Sequence, residues 1–169
     1  MMTFDLAFTR LIGNEGELSM DPKDSGNWTG GKIGLGKLKG SKYGISAASY
    51  PMVDIANLTL EGAKAIYLRD FWRASFPPEL AFQFFDAAVN HGAFNASRIL
   101  QRAVGVRDDG AVGPLTMAAI AKLKPWKAVA LFLAERLEFW TNCENWDTQG
   151  KGWTRRGAKN IRYLTQDAE

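Results

Sequence analysis

The stretch from Leu11 to Gly44 reads LIGNEGELSMDPKDSGNWTGGKIGLGKLKGSKYG. It begins as the end of an amphipathic run and turns, at two glutamates, into polar, glycine-rich sequence with no helical period. Upstream, Phe4, Phe8, Leu11 and Ile12 recur at helical spacing; Glu15, four residues after Leu11 and three after Ile12, continues that apolar stripe, and Glu17 does not. A carboxyl at the core-facing end of a helix is partly desolvated, which disfavours its charged form and suits it to act as a general acid near neutral pH. Gly16 can take the left-handed conformation that stops a helix, so the chain can turn just past Glu15 and leave the carboxyl facing a cleft. The plainer reading is a helix-end glutamate that is solvated or bonded to a backbone amide.

Within the stretch, Ser19 to Gly40 is dense in Gly, Lys, Asp and Ser, with isolated apolar residues Trp28, Ile33, Leu35 and Leu38. Such sequence predicts an irregular hairpin or flap. GKIGLGKL, Gly31 to Leu38, approaches a phosphate-binding loop, but Leu38 stands where a Ser or Thr must hold magnesium, and no buried strand precedes it. Nucleotide binding is therefore set aside. The segment reads as a mobile surface loop or as a lip over a polymer-binding groove.

Beyond it the pattern is helical. Thr59 caps a run through Trp72 with Leu60, Ala63, Ile66 and Tyr67 on its apolar stripe. Pro78 opens a helix that Gly92 ends, placing Leu80, Phe84, Ala87, Ala88 and His91 on one face. Ala96 to Val104 forms another, the turn RDDGAVGP follows, and Pro114 opens a helix over Leu115 to Leu123. The longest helix starts at Pro125, with Trp126, Val129, Ala130, Leu133, Leu137 and Trp140 as its stripe. The tail GKGWTRRGAKNIRYL predicts a loop and a short basic helix. Five or six helices and one glycine-rich excursion make a mainly α fold with a small irregular β-hairpin or flap; no strand–helix alternation suggests a parallel sheet.

The 169 residues fit a single domain, and 46% hydrophobic residues with six tryptophans supply a core. The net charge of +3 favours a polyanionic matrix without requiring nucleic acid. Cys143 is alone, so the fold must hold without an intrachain disulfide. Asp5, Arg10, Asn14 and Glu15 interrupt any apolar run at the N-terminus, which predicts no cleavable secretion signal, and no stretch has the length of a spanning helix. The expectation is a protein made in the cytoplasm.

One His and one Cys give poor support to a zinc hydrolase, whose metal takes three protein ligands. His91, on an apolar helix face, reads as a core histidine bonded to a neighbour; Cys143 lacks a nucleophile signature, and no G-x-S-x-G elbow is present. Carboxylates remain, and glycoside hydrolysis needs one protonated carboxyl at the leaving oxygen and a second group on the other face of the sugar. Glu15 suits the first role. Asp21 and Asp24, in the polar loop, would stay ionised and could steady an oxocarbenium-like centre or hold a water; equally, Asp beside Pro, Ser or Gly is a turn former.

Several motifs in order carry a family likeness: Glu15-Gly16, Asp21-Pro22, Asp24, Lys42-Tyr43-Gly44-Ile45, Leu58-Thr59-Leu60-Glu61 and Phe85-Asp86-Ala87-Ala88-Val89-Asn90-His91-Gly92. Together they resemble the phage-type N-acetylmuramidases of glycoside hydrolase family 108. Leu100 to Val106 with Asp109-Gly110-Ala111-Val112-Gly113-Pro114 and Thr116, and Gly152-Trp153 near the end, are similar to the predicted peptidoglycan-binding region that follows in that family. The resemblance implies one lysozyme-like unit over 1–169, with a muramidase-like part at 1–92 and a helical peptidoglycan-binding-like part at 93–169 packed against it.

It further implies an endolysin that cleaves the β-1,4 bond between N-acetylmuramic acid and N-acetylglucosamine, with Glu15 as the catalytic acid. The family's usual Glu-Gly-Gly-Tyr stands here as Glu15-Gly16-Glu17-Leu18, without the second glycine and the tyrosine, and Trp28 to Lys39 reads as an insertion. The spacing is also similar to that of phage lysozymes, in which an Asp follows nine residues after the glutamate, as Asp24 does here, and a Thr soon after. The hydroxyl is either Thr29 or Ser41, with Ser41 preferred because it precedes Lys-Tyr-Gly where the family has a Thr. Tyr43 and Asn90 are expected to line the sugar groove, unless each bonds only its local backbone. No cofactor or metal is implied.

The implied partner is bacterial peptidoglycan, not nucleic acid. The protein is expected to be a monomer made in the host cytoplasm, reaching the wall and periplasm through a membrane lesion made by another protein. The basic tail with Arg155, Arg156, Lys159 and Arg162 offers a weak contact to an anionic outer membrane, or is a solvated surface. Two rivals stand beside this reading: a non-catalytic wall-binding or secretion-promoting protein, and a wall amidase or peptidase.

Overall fold

A computed structural model describes residues 2–12 and 17–167. Glu15 and Gly16 lie outside the described residues, so the geometry expected of them stays an expectation. The described residues form α1 (Phe4–Ile12), a hairpin of β1 (Ser41–Lys42) and β2 (Ile45–Ser46), and then α2 (Leu60–Asp70), α3 (Pro78–His91), α4 (Ala93–Ala103), α5 (Pro114–Ala121), α6 (Pro125–Thr141) and α7 (Trp146–Asp167). The strands are antiparallel, with Ser41 opposite Ser46 and Lys42 opposite Ile45. The protein is thus mainly helical with one small hairpin. No described helix is long and apolar enough to cross a membrane.

Internal packing divides the chain into two compact units, Asp5–Asp70 and Met1–Phe4 with Phe71–Glu169. The first is loop-rich. Its core is Ala7 and Phe8 of α1, Ile45 and Ala47 of the hairpin, Ile55, Leu58, and Ala63 and Tyr67 of α2, all buried. The Phe8 and Tyr67 rings meet edge to face at 5.6 Å, the arrangement their quadrupoles favour. Thr59 caps α2 as its sequence suggests, its hydroxyl accepting from Gly62 N–H at 3.1 Å.

The second unit is a helical bundle. Helix α3 packs on α4, α6 and α7, α4 on α6, and α6 on α7. Leu80, Phe84 and Ala88 of α3, Ile99 and Leu100 of α4, Ile120 of α5 and Val129, Phe132 and Leu133 of α6 fill one continuous core. Pro78, Pro114 and Pro125 each sit at a helix start, where the missing amide proton costs no hydrogen bond.

The tail departs from the sequence expectation of a loop and a short helix: Trp146–Asp167 is one helix of 22 residues. Its glycines are used for packing. A Cβ on Gly150 would stand 2.9 Å from the Trp146 indole, and one on Gly157 would stand 3.0 Å from that of Trp140. Burial against aromatic faces compensates for the low helix propensity of glycine, which the local pattern could not reveal.

Candidate active site

The loop-rich unit is built by turn chemistry. Tyr43 and Gly44 join β1 to β2 with φ of 52° and 75°, the two left-handed corners that a two-residue hairpin loop needs. Glycine meets this without cost; tyrosine does not, and a non-glycine residue held there marks a place where the surroundings over-determine the backbone. The surroundings are visible. Tyr67 O–H donates to Tyr43 O at 3.0 Å, and a Cβ on Gly44 would collide with that same hydroxyl. Burial pushes the Tyr67 pKa up to about 12, so the phenol keeps its proton. The Tyr43 ring is half-buried, with Lys42 Nζ 5.4 Å from its centroid.

The end of α1 arrives at this turn. Ile12 Cδ1 would be 3.7 Å from a Cβ on Gly44. Where the described chain resumes, Ser19 pairs with Ser41 in both directions, each amide donating to the other's carbonyl at 2.9 Å. The residues on either side of 13–16 are therefore tied to one hairpin, Ile12 at its turn and Ser19 at its first strand.

Asp24 lies on the loop that follows. It caps a single 3-10 turn, Ser25–Asn27, with Oδ1 accepting from Gly26 N–H at 2.8 Å, and Asp21 Oδ1 accepts from Lys23 N–H at 2.9 Å. Both are exposed, and both act as turn formers. For Asp24 this occupies one carboxylate oxygen and leaves the other without a side-chain or amide partner among the described residues. The hydroxyl candidates are also distinguished. Thr29 Oγ1 accepts from Lys37 N–H at 2.9 Å and so braces the flap; Ser41, half-buried on β1, has a hydroxyl with no such duty among the described residues.

Sequence reasoning missed Asn27. It is fully buried, and its backbone carbonyl accepts from Lys39 and Gly40 N–H at 3.0 and 3.1 Å. Its side-chain amide donates to Asp21 O at 3.0 Å and Ser19 Oγ at 3.4 Å. It thereby sews the Asp24 loop to the strand that carries Ser41. Its Oδ1 is buried with no partner among the described residues, a costly state that soluble domains rarely keep. An asparagine set between Gly26 and Trp28 was the only available signal.

The remaining candidate, Asn90, belongs to the helical unit, at the end of α3. Its amide donates to Asp86 O at 2.7 Å and its oxygen accepts from Arg156 at 2.6 Å. Arg156 also reaches Asp86 Oδ1 at 3.1 Å, Arg136 Nη1 lies 2.6 Å from Oδ2, and Asn160 donates to Oδ2 at 3.0 Å. Burial alone would push the Asp86 carboxyl up; the two guanidiniums and the hydrogen bonds outweigh it and hold it below the usual carboxylate range. His91 is the bonded core histidine its helix face suggests, with Nε2 accepting from Arg136 Nε and Trp140 Nε1, each at 3.1 Å. Burial and the neighbouring Arg136 charge lower its pKa to about 3, so it is neutral and unsuited to proton transfer near pH 7. Burial raises the Cys143 thiol, which donates to Phe139 O, so no thiolate is available there. Among the described residues no group of three or more His, Cys, Asp or Glu could hold a metal ion.

Residues 8–92, half of the chain, match the family model described as Glycosyl hydrolase 108. Among solved structures, the chain is similar to that of Brucella abortus SagA, with 25% sequence identity and a TM-score of 0.77, over 96% of this chain and 94% of that one. No curated protein matches it in sequence.

Proposed function

Because the chain belongs to glycosyl hydrolase family 108, we propose that this glycoside hydrolase of lysozyme-like, peptidoglycan-degrading kind is a muramidase. It cleaves the β-1,4 bond between N-acetylmuramic acid and N-acetylglucosamine and serves as a phage-type endolysin. The observation that carries the reading is the double anchorage around Glu15: Ile12 beside the Gly44 turn and Ser19 paired with Ser41. The described residues that flank position 15 thus meet the hairpin that carries Tyr43 and Ser41, the residues expected to meet sugar.

In the proposed reaction Glu15, protonated, gives its proton to the glycosidic oxygen as the bond to the anomeric carbon breaks. Positive charge develops on the sugar ring, where ionised Asp24 can stabilise it or hold the water that adds. That water bonds to the anomeric carbon and surrenders its proton to a carboxylate. Ser41 contributes a hydrogen bond, Tyr43 meets the sugar, and Asn90, its side chain fixed by Arg156 and Asp86, is a further sugar-binding residue.

The helical part from residue 93 is proposed to bind the wall. It holds a pocket of about 300 Å³ at the Asp109–Thr116 loop, backed by buried Gln101. Gln101 donates to Asp109 Oδ1 at 2.8 Å and accepts from Gly110 N–H at 2.8 Å, fixing that loop's shape. The protein acts as a monomer, made in the host cytoplasm and released to the wall through a membrane lesion.

Mass spectrometry of a purified peptidoglycan digest tests the proposal. Muropeptides with new reducing ends on N-acetylmuramic acid are expected. Intact glycan with freed stem peptides would replace the muramidase by an amidase, and an undigested wall that retains the protein would leave only a binding module.

A further inference from the structure

The flap between Trp28 and Lys39 takes no part in the chemistry above, yet its surface is unusual. From Ser25 to Val53 the chain carries Lys32, Lys37, Lys39 and Lys42 and no Asp or Glu, in a protein whose whole net charge is +3. The two aspartates before it, Asp21 and Asp24, are turned onto their own backbone. Among the described residues Lys32 and Lys37 form no ion pair. Lys39 is steadied by Pro51 O at 2.7 Å.

At the tip of this basic segment stand two branched aliphatics, Ile33 63% exposed and Leu35 53% exposed. The tip is shaped by hydrogen bonds. Thr29 N–H donates to Lys37 O at 2.9 Å, Gly30 N–H to Leu35 O at 3.1 Å, and Leu35 N–H to Lys32 O at 3.0 Å. The last bond closes a turn with Ile33 and Gly34 at its corners, and Gly34 takes the positive φ of 78° that the second corner requires. Turn corners usually carry Gly, Pro, Asn, Asp or Ser. An exposed isoleucine at such a corner, with a leucine two residues on and lysines on both flanks, adds nothing to a core and costs solubility.

We propose that the tip from Lys32 to Lys37 is an interfacial anchor for an anionic lipid bilayer. Ile33 and Leu35 enter the boundary between headgroups and acyl chains, and Lys32, Lys37 and Lys39 lie over acidic headgroups. The alternatives fit the residues less well. An anionic wall polymer has no apolar phase for two aliphatics. Sugar recognition wants aromatic faces, and the flap's aromatic, Trp28, is fastened at its base through Nε1 to Pro22 O at 2.9 Å. Self-association through the tip would bring like charges together. The basic residues of α7 are less suited, since Arg156 is engaged by Asp86 and Asn90 and Lys159 lies over the Tyr163 ring at 5.6 Å.

The test is co-sedimentation of the full chain with vesicles of phosphatidylcholine alone and of phosphatidylcholine mixed with phosphatidylglycerol. Binding to the mixed vesicles that weakens with salt, and little to the neutral ones, is expected. Replacing both aliphatics, Ile33→Ser with Leu35→Ser, should weaken partitioning at least about tenfold while leaving the circular dichroism unchanged. Lys32→Gln with Lys37→Gln should weaken it about fivefold or more and flatten the salt dependence. Equal binding to both vesicle types, no binding, or a serine variant that sediments like the parent would overturn the proposal. So would a concentration-dependent dimer, without vesicles, that the serine variant loses. Hydrolysis of lipid-free wall by the serine variant should match the parent; a parallel loss would make the tip a substrate lip and overturn the anchor. Because that assay does not depend on vesicles, failure of the anchor and failure of the muramidase reading are read separately.

Discussion

Asp86 in one packed unit and Asp21 and Asp24 in the other use the same side chain in opposite ways. In the helical unit Asp86 is buried, and two guanidiniums and an asparagine meet its oxygens. In the loop-rich unit Asp21 and Asp24 are exposed and bonded only to amides two residues away. The first arrangement makes a carboxylate part of the scaffold, since removing it strands a buried cation. The second leaves carboxylate oxygen facing water, where it can meet a substrate. The backbones differ as well: the helical unit places regular helices around one core, whereas the loop-rich unit keeps a left-handed Tyr43, the only non-glycine residue with a positive φ among the described residues. Regular packing supports the fold in one unit, and irregular, over-determined loops concentrate the candidate chemistry in the other.

The largest expected effect tests the scaffold side. Asp86→Ala leaves Arg136, fully buried, without its anion, and should cost about 3–5 kcal/mol in chemical denaturation. A loss under about 1 kcal/mol would show that the network is solvated and would dissolve the contrast with Asp24.

Next is the pH response of the same unit. His91 has its folded pKa lowered from 6.5 to about 3, so between those values the unfolded chain binds the proton and the folded chain does not. Stability is therefore full above about pH 6.5 and declines as pH falls towards 3, with a slope of at most about 1.4 kcal/mol per pH unit. Asp86, whose carboxyl is also held low, adds loss in the same direction at the acid end. His91→Gln keeps an acceptor for Arg136 and Trp140 and should flatten the urea midpoint between pH 6.5 and 4.5; an unchanged slope would assign it elsewhere.

A smaller global effect, with a larger local one, is expected from Gly44→Ala. It forces a second side chain into the left-handed region, at about 1–2 kcal/mol, and drives a methyl into Tyr67. Wall hydrolysis should fall sharply while the helical circular dichroism persists. Parallel loss of both signals would mean that the two units do not divide scaffold from chemistry.

How much was legible in the sequence follows the same line. Prolines at helix starts, the Thr59 cap and the apolar stripe of α3 report local physics, so those boundaries fell within a few residues of those observed; on α6 the ends agree but the stripe differs in part, Trp126 and Leu137 being exposed while Ala128 and Phe132 are buried. The 22-residue α7 was not legible, because its glycines make sense only against the Trp146 and Trp140 rings. The flap's existence was readable from its glycines, but its hydrogen-bonded tip was not. In the site, residue types and order pointed to Asp24, Ser41 and Tyr43, and the turn-forming use of Asp24 could be named in advance. Asn27 could not, since its importance comes from backbone partners at Lys39 and Gly40, brought near only by folding.

The account rests on the acid at position 15, and one measurement tests it most directly. The rate of reducing-end release from purified peptidoglycan is compared for the parent and for Glu15→Gln, with the denaturation midpoint of each recorded alongside. The account predicts a fall of about 10²–10⁴ in rate with the midpoint retained. A glutamine variant that releases reducing ends as fast as the parent would contradict it.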